Sequence, residues 1–161
     1  MFQSARWTAV VSVMALLAGA GCANQNSGSQ NQTPLYERLG GQEGIQKIVY
    51  DFVPIAVADA KLNFFRKGTP GEYNPTPENV DKLEKSLVDY FCAVAGGPQK
   101  YQGKDMKTAH SGMQISDAEF EQFKLDLHLA MDKNNVSDEN QEDLLGLVQS
   151  THKDVVEAKK M

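Results

Sequence analysis

The amino-acid sequence predicts an all-α protein made of six helices of unequal length. Along several segments, apolar residues recur three and four positions apart, which is the spacing of one buried helix face. No segment shows a convincing alternation of apolar and polar residues, as a half-buried strand would. Capping residues, prolines and paired glycines mark where the helices begin and end. With 161 residues, the chain can bury one core and is too short to favour two.

The first residues have the layout of a bacterial export signal. Arg6 precedes an apolar run at 7–18 that is too short to span a bilayer comfortably, and small residues lead to Cys22. The ending LLAGAGC resembles the cleavage site of lipoproteins, although Gly19 stands where leucine is usual. We expect a signal peptide at 1–21, lipidation of Cys22, and an exported, membrane-anchored protein on the periplasmic side. Simple secretion and an uncleaved anchor are the alternatives.

A spacer separates this segment from the folded part. Residues 22–32 are mostly Asn, Gln, Ser and Gly, which predicts a flexible linker before a domain at 33–161. Thr33 as the cap and Pro34 at the first helical position predict a short helix through Leu39, closed by two glycines.

A second helix is expected at 42–58, because its apolar residues form one stripe. Pro54 lies inside it and removes a hydrogen bond to the carbonyl of Tyr50, so the helix should kink or end early. The polar segment at 66–82 is then either a lid or, as we expect, an exposed insertion.

The third helix should begin with Thr76 as its cap and Pro77 at its first position. The next segment, GGPQKYQGKDMKTAH at 96–110, ends that helix with two glycines and a proline. It then forms one helical turn ending in His110, with Met106 among its apolar neighbours.

The last two helices are marked by their caps. The sequence SDAE at 116–119 is a capping box, and the apolar stripe behind it continues to about Lys133. Ser137 is expected to cap a final helix whose stripe runs through Val155.

Composition and motifs exclude several classes of function. The formal charge of −5, without a dense basic run, argues against a nucleic-acid surface. Cys22 and Cys92 are the only cysteines, so lipidation of the first leaves the second without a disulfide partner, and Cys92 is predicted to be a small buried hydrophobe. We find no Ser/His/Asp arrangement, zinc-spaced cysteine pair or phosphate-binding glycine loop.

His110 is the candidate ligand. A neutral imidazole at the edge of an apolar cavity can offer one nitrogen to a haem iron. A helical protein can also bury a single histidine for packing or a hydrogen bond, and taken alone that alternative is the commoner one. His128 and His152 are interpreted as structural or solvated.

Six unequal helices, one of them very short and ending at His110, favour a globin-like sandwich over an up-and-down bundle. The sequence resembles the truncated haemoglobins, two-over-two globins of the first group, over 33–156. The resemblance rests on LYERLGGQEGI at 35–45, on the pair of phenylalanines at 64–65, and on the segment at 96–110. It implies a truncated (2-on-2) globin-like helical sandwich that holds haem b.

The resemblance also implies roles for individual residues, with His110 as the proximal ligand of the haem iron and Phe65 packed on the haem face. Tyr101 and Lys104 match positions that can contact the haem propionates, although a solvated surface lysine is the alternative. The distal side would be lined by Leu83, Leu87 and Phe91. The proximal side and the buried haem edge would be enclosed by Met106, Ala109, Ile115, Phe120, Phe123, Leu127 and Val148, each of which could equally be plain core.

The sequence departs from this family where a bound gas would be recognised. The hydrogen-bonding tyrosine common on the second helix is replaced by Val53, and the glutamine common on the distal helix by Leu87. Without such donors we expect fast oxygen loss and relatively favoured binding of carbon monoxide or nitric oxide. Tyr50 or Tyr90 could substitute if Pro54 distorts the second helix.

Three functions follow as hypotheses. The leading one is an exported, lipid-anchored haem protein that reversibly binds oxygen or another diatomic gas. The second is a haem enzyme for nitric oxide dioxygenation or peroxide chemistry, which needs an electron donor. The third is an interaction module that has lost its haem.

Overall fold

The computed structural model describes residues 33–157, which fold into seven α-helices and no strand. The predicted all-helical class is confirmed for this part of the chain. The predicted signal peptide, linker and Cys22 lie outside the described residues, as do residues 158–161. The helices are α1 (Leu35–Arg38), α2 (Gly41–Ala58), α3 (Pro77–Val94), α4 (Met106–His110), α5 (Asp117–Lys133), α6 (Asp138–Ser150) and α7 (His152–Val155).

Two pairs of long helices form the body of the fold. Helix α2 packs against α3 and also against α5, and α5 packs against α6. Helix α1 joins α2 to α6, and the short helices α4 and α7 pack on each other. Phe52 of α2 is fully buried between the pairs, with its ring centroid 4.7 Å from that of Phe123 and 5.8 Å from that of Phe64. The arrangement is a two-over-two helical sandwich.

The proline in α2 does not end the helix. Helix α2 continues for four residues beyond Pro54, to Ala58, so the expectation of an early end is wrong. Pro54 and Tyr50 are both exposed, which lets water satisfy the carbonyl that the proline cannot bond. The opposite face of the helix carries the buried stripe Ile45, Ile48, Val49, Phe52, Val53 and Ala56.

The first helix is capped differently from the prediction. Pro34, with extended backbone, occupies the N-cap of α1, and no side chain caps the helix, so the assignment of Thr33 as the cap is wrong. Two contacts hold this single turn in place. The Tyr36 amide donates to the Ala95 carbonyl at 2.9 Å, and the Arg38 guanidinium pairs with Asp143 of α6.

Helix α3 has both of its predicted ends. The Thr76 hydroxyl accepts a hydrogen bond from the amide of Asn79 at 3.3 Å. At the other end, Gly96 adopts a φ of +87°, a left-handed conformation that side chains disfavour. This turn lets the amide of Gly97 donate back to the Cys92 carbonyl at 2.8 Å, which closes a Schellman motif.

The capping box of α5 is also confirmed. The Ser116 side chain accepts from the amide of Glu119 at 3.3 Å, and the Glu119 carboxylate accepts from the amide of Ser116 at 3.0 Å. Both of these backbone donors, which have no partner within the helix, are therefore satisfied.

The final helix is interrupted, which corrects the expectation of one continuous helix. Ser137 is the N-cap of α6 but makes no side-chain capping bond. At Thr151 the backbone amide and the hydroxyl both donate to the Val148 carbonyl, at 3.0 and 2.7 Å, which tightens the chain into a turn. Helix α7 follows and packs against α4.

The connection between α2 and α3 is more than an exposed insertion. Arg66 is only 5% exposed, and the Tyr73 ring stacks on the ring of Phe65 with centroids 6.4 Å apart. A β-carbon built on Gly71 would lie 3.1 Å from the Cα of Met113, so this connection packs closely on the loop that follows His110. Among the described residues, no helix has the length and apolar character needed to cross a membrane.

Asp126 is a carboxyl group buried between α5 and the rest of the core. The side chain is 2% exposed, and the Gln122 amide donates to its Oδ1 at 3.2 Å. Its Oδ2 has no hydrogen-bond partner among the described residues. Burial raises the pKa of Asp126 above 3.8, and the negative charge of Asp59 raises it further, while Gln122 and Lys61 oppose the shift.

We expect Asp126→Asn to raise the free energy of unfolding by about 1 kcal/mol at pH 8, because it removes a poorly paired buried charge. The folded state binds this proton more tightly than the unfolded state does. Wild-type stability should therefore fall as pH rises from 3.8 through the raised pKa, and the variant should lack this fall. Urea unfolding between about pH 2 and 8 measures both effects.

Asp51→Asn is the matched control, since a hydrogen bond from Lys133 lowers the pKa of that carboxyl. It should lose stability at neutral pH and lose less as the pH falls through the lowered pKa. An Asp126→Asn variant less stable than the wild type at pH 8 would contradict the prediction.

Candidate functional site

His110 is the last residue of the one-turn helix α4. The Asp105 carboxylate caps the helix by accepting from the Thr108 amide at 3.0 Å, and this hydrogen bond lowers the pKa of Asp105. The His110 ring is half-buried, and its Nδ1 lies 2.8 Å from the Met106 carbonyl. A carbonyl can only accept, so Nδ1 carries the proton and the lone pair is on Nε2. No described residue makes a hydrogen bond to Nε2.

The His110 ring lines a cavity of about 330 Å³. Ligand cavities in proteins occupy roughly 300–1,000 Å³ and are lined mainly by apolar side chains. The walls come from the α2–α3 connection, α3, α4, α5 and the end of α6 with α7. The apolar lining consists of Leu62, Phe64, Leu83, Leu87, Phe91, Met106, Ala109, Met113, Ile115, Phe120, Phe123, Val148 and Val155.

Most polar side chains in the wall are already paired within the protein. The Tyr73 hydroxyl donates to the Asn79 carbonyl at 2.7 Å, and the Ser86 hydroxyl donates to the Lys82 carbonyl at 2.8 Å. Paired groups of this kind have few remaining hydrogen bonds to offer a ligand. The cavity therefore presents mainly apolar surface.

Tyr90 and Tyr101 are the exceptions. Both line the cavity, their rings meet edge to face with centroids 5.3 Å apart, and neither hydroxyl bonds to a described residue. Burial raises the pKa of Tyr90, and the neighbouring Tyr101 adds to the shift. Tyr90 lies one helical turn beyond Leu87 on α3, so it can present a hydroxyl donor to whatever occupies the cavity.

Most residues that the resemblance assigned to the site do lie in this wall, although their role toward a cofactor stays a prediction. They include His110, Tyr101 and the three residues assigned to the distal side, Leu83, Leu87 and Phe91. They also include six of the residues assigned to the proximal side and the buried haem edge: Met106, Ala109, Ile115, Phe120, Phe123 and Val148.

Three of the assigned residues lie outside the wall. Phe64 lines the cavity in place of Phe65, because neighbouring side chains in this irregular segment point in different directions and Phe65 stacks on Tyr73 instead. Leu127 is fully buried in the core between the helices. Lys104 is exposed, and its proposed contact with a propionate stays a prediction.

The second helix offers no donor to the cavity. Val53 is buried but does not line it, and Tyr50 is 48% exposed with its hydroxyl held by the Gln46 amide at 2.8 Å. Of the two tyrosines considered as substitutes, only Tyr90 reaches the cavity.

Two histidines and a cysteine lie outside the site. His128 is exposed and 3.3 Å from Asp132, and His152 is 2.9 Å from Asp117. Cys92 is fully buried as predicted, and burial raises the pKa of its thiol to about 11. A thiol with that pKa is unreactive at neutral pH.

Two charged side chains beside the cavity are not predicted by any local sequence pattern. Arg66 and Glu119 both line it and form an ion pair, with Nη1 and Oε1 2.5 Å apart. The sequence pattern places Arg66 in a segment predicted to be exposed, and it predicts only a capping role for Glu119. Their sequence separation of 53 residues left no local pattern that links them.

Comparison with known proteins gives a consistent result. The sequence profile of the family described as bacterial-like globin matches residues 34–157. A group 1 truncated hemoglobin from Mycolicibacterium paratuberculosis is 31% identical over 114 residues, which cover 71% of this chain and 77% of that protein. A group 1 truncated hemoglobin from Tetrahymena pyriformis is 27% identical over 122 residues, which cover 76% of this chain and 93% of that protein.

Superposition on solved structures also finds truncated hemoglobins. The crystal structure of the truncated hemoglobin from Tetrahymena pyriformis in its Fe(III) form superposes with a TM-score of 0.67 at 26% identity, covering 78% of this chain and all of that one. The 2/2 hemoglobin from Synechococcus shares the fold with a TM-score of 0.67, covering 77% of this chain and 98% of that one. Its identity of 24% supports the fold alone.

Proposed function

The chain belongs to the bacterial-like globin family, which implies a haem-binding protein, and on this basis we propose that it binds haem b through His110 and reversibly binds a diatomic gas. One observation carries the proposal. The imidazole of His110 lines an apolar cavity with Nδ1 held by the Met106 carbonyl, which leaves the Nε2 lone pair available to a metal.

The residues present fit the cofactor. Haem would supply an iron that can bind a diatomic gas, and His110 would hold that iron. A backbone carbonyl on Nδ1 keeps the imidazole neutral, fixes its orientation and strengthens it as a ligand. The apolar wall excludes water from the surroundings of Nε2 and suits a largely apolar macrocycle.

The walls of the cavity suggest how the two faces divide. We assign the distal face to Leu83, Leu87 and Phe91 of α3, which line the cavity. The proximal face is assigned to side chains of α4, α5 and α6. Tyr101, in the wall, and Lys104, exposed beyond it, are placed by this proposal at the propionates, where a hydroxyl and a cation suit carboxylates.

His110→Ala should abolish the haem complex. Removing the imidazole leaves the apolar wall intact but takes away the only histidine in it. We expect the purified wild-type chain, supplied with haem, to give a strong Soret band and a carbonyl spectrum in the ferrous form, both lost in the variant.

His128→Ala is the matched control for this experiment, since that histidine is exposed on α5, and it should keep the wild-type spectrum. His110→Gly with added imidazole should recover the Soret band. A wild-type protein without a Soret band, or a His110→Ala variant with an unchanged one, would refute the proposal.

Leu87→Gln should slow oxygen dissociation from the haem-loaded protein by about tenfold, because an amide donor in a dry pocket contributes about 1–1.5 kcal/mol to holding oxygen. Stopped-flow displacement of oxygen by carbon monoxide measures the rate. Leu87→Met, similar in size but without a donor, should leave it near the wild-type value. An unchanged rate in Leu87→Gln would contradict this prediction. Slow oxygen release by the wild type would also contradict it and would indicate that another donor, such as Tyr90, retains the gas.

We also propose that the protein is exported and anchored by a lipid on Cys22. The support is the sequence alone: a positive residue, a short apolar run and the ending LLAGAGC. When the full chain is expressed in a bacterium, it should fractionate with membranes and incorporate labelled fatty acid. Cys22→Ala should lose both properties, whereas Cys92→Ala should keep them. Incorporation of label that persists in Cys22→Ala would contradict the proposal.

A further inference from the structure

We propose that Arg66 and Glu157 are positioning residues that set the reach and tilt of the His110 imidazole, an inference that rests on the haem-binding function proposed above. The two side chains hold the loop that immediately follows His110, at 111–114, Arg66 through its carbonyl groups and Glu157 through its amide groups. Neither belongs to the helix that carries the histidine. Both side chains act through the loop. Arg66 also lines the cavity, whereas Glu157 does not, so Glu157 tests the role of the loop without a direct contact to a cofactor.

The loop at 111–114 has a defined, tight conformation. The Met113 amide donates to the His110 carbonyl at 3.1 Å, which closes a turn directly on the histidine. Gly112 and Gln114 both have positive φ angles, of +80° and +54°. A left-handed conformation at a residue with a side chain is unfavourable and persists only where the surroundings hold it.

Arg66 holds the carbonyl groups of this loop. Its Nε donates to the Met113 carbonyl at 2.8 Å and its Nη2 to the Gln114 carbonyl at 3.2 Å. Nη1 pairs with Glu119 at 2.5 Å and also donates to the Asn63 carbonyl at 3.2 Å. Every guanidinium nitrogen is thus engaged in a side chain that is only 5% exposed, which is how a buried guanidinium becomes tolerable.

Glu157 holds the amide groups of the same loop. Its carboxylate accepts from the Gly112 amide at 2.7 Å and from the Gln114 amide at 2.7 Å. The backbone amide of Glu157 donates to the Ile115 carbonyl at 2.9 Å. A cation on the carbonyls and an anion on the amides orient the peptide groups of one short segment, and charge-assisted bonds of this kind are the stronger ones.

The loop matters for His110 because α4 cannot fix its own position. Five residues form a single turn, and an isolated turn of helix is unstable in water. The hydrogen bond from Nδ1 to Met106 lies inside this turn, so it orients the ring relative to α4 but not relative to the cavity. The loop held by Arg66 and Glu157 and the packing of α7 on α4 supply that second constraint.

A general loss of stability must be separated from a loss of positioning. Arg38 provides the comparison, since it also forms an ion pair between distant elements, with Asp143 of α6, and does not line the cavity. Replacing it removes a pair of similar kind without touching the loop. The comparison therefore needs a measurement that reports on the bond between His110 and iron, not on folding alone.

The experiment uses the full-length haem-loaded protein and the variants Arg66→Gln, Glu157→Gln and Arg38→Gln. Resonance Raman spectra of the ferrous, ligand-free forms give the iron–histidine stretching band, and transfer of haem to excess apomyoglobin gives the rate of haem loss. Arg66→Gln and Glu157→Gln should shift or broaden the band and speed haem loss about tenfold. Replacing groups that orient a metal ligand typically weakens metal binding by at least this factor. Arg38→Gln should lower the unfolding temperature but leave band and rate unchanged.

Arg66→Lys keeps the charge beside Glu119 but cannot reach both carbonyls, so its band should lie between those of wild type and Arg66→Gln. It also serves as the test if Arg66→Gln does not fold. An unchanged band and rate in both loop variants, with haem bound normally by the wild type, would overturn this inference alone. A wild type without a Soret band would overturn the proposed function and this inference with it.

Discussion

The hydrogen bond between Nδ1 of His110 and the Met106 carbonyl is the interaction on which the site depends. It decides which nitrogen carries the proton, and so which nitrogen faces the cavity with a lone pair. The bond exists only while α4 keeps its single turn. A helix as short as α4 is stable only through contacts with its neighbours, such as α7. The surrounding helical sandwich keeps this single turn at the edge of the apolar cavity.

The long helices and their caps could be predicted because the responsible signals are local. Thr76 with Pro77, and Ser116 with Glu119, lie within one turn of the backbone groups they satisfy. The same is true of the glycines that close α3. A local signal is misleading where it competes with surroundings that the sequence does not display. Pro54 is tolerated inside α2 because it and Tyr50 are exposed to solvent.

The residues around the cavity were partly predictable for a related reason. Helical residues such as Leu83, Leu87 and Phe91 follow a period, so one assignment fixes the others. No period applies in the irregular segment at 59–76, and there the sequence could not decide between Phe64 and Phe65. Nor could it show that Arg66 is buried, because three of its four partners among the described residues, Met113, Gln114 and Glu119, lie 47, 48 and 53 positions away.

The hydrogen bonds between Glu157 and the loop after His110 also affect the stage of protein synthesis at which the site can form. This carboxylate joins the site across 43 and 45 positions of sequence, from the far end of the segment that matches the globin family. A growing chain that still lacks α7 contains His110 and most of the apolar wall. The amides of Gly112 and Gln114 in the loop, however, do not yet have the Glu157 carboxylate as a partner. Contacts between distant positions also require the closure of a long loop, which costs conformational entropy before the contact contributes stability. Under the function proposed above, haem would bind a complete site only after the whole domain has been translated.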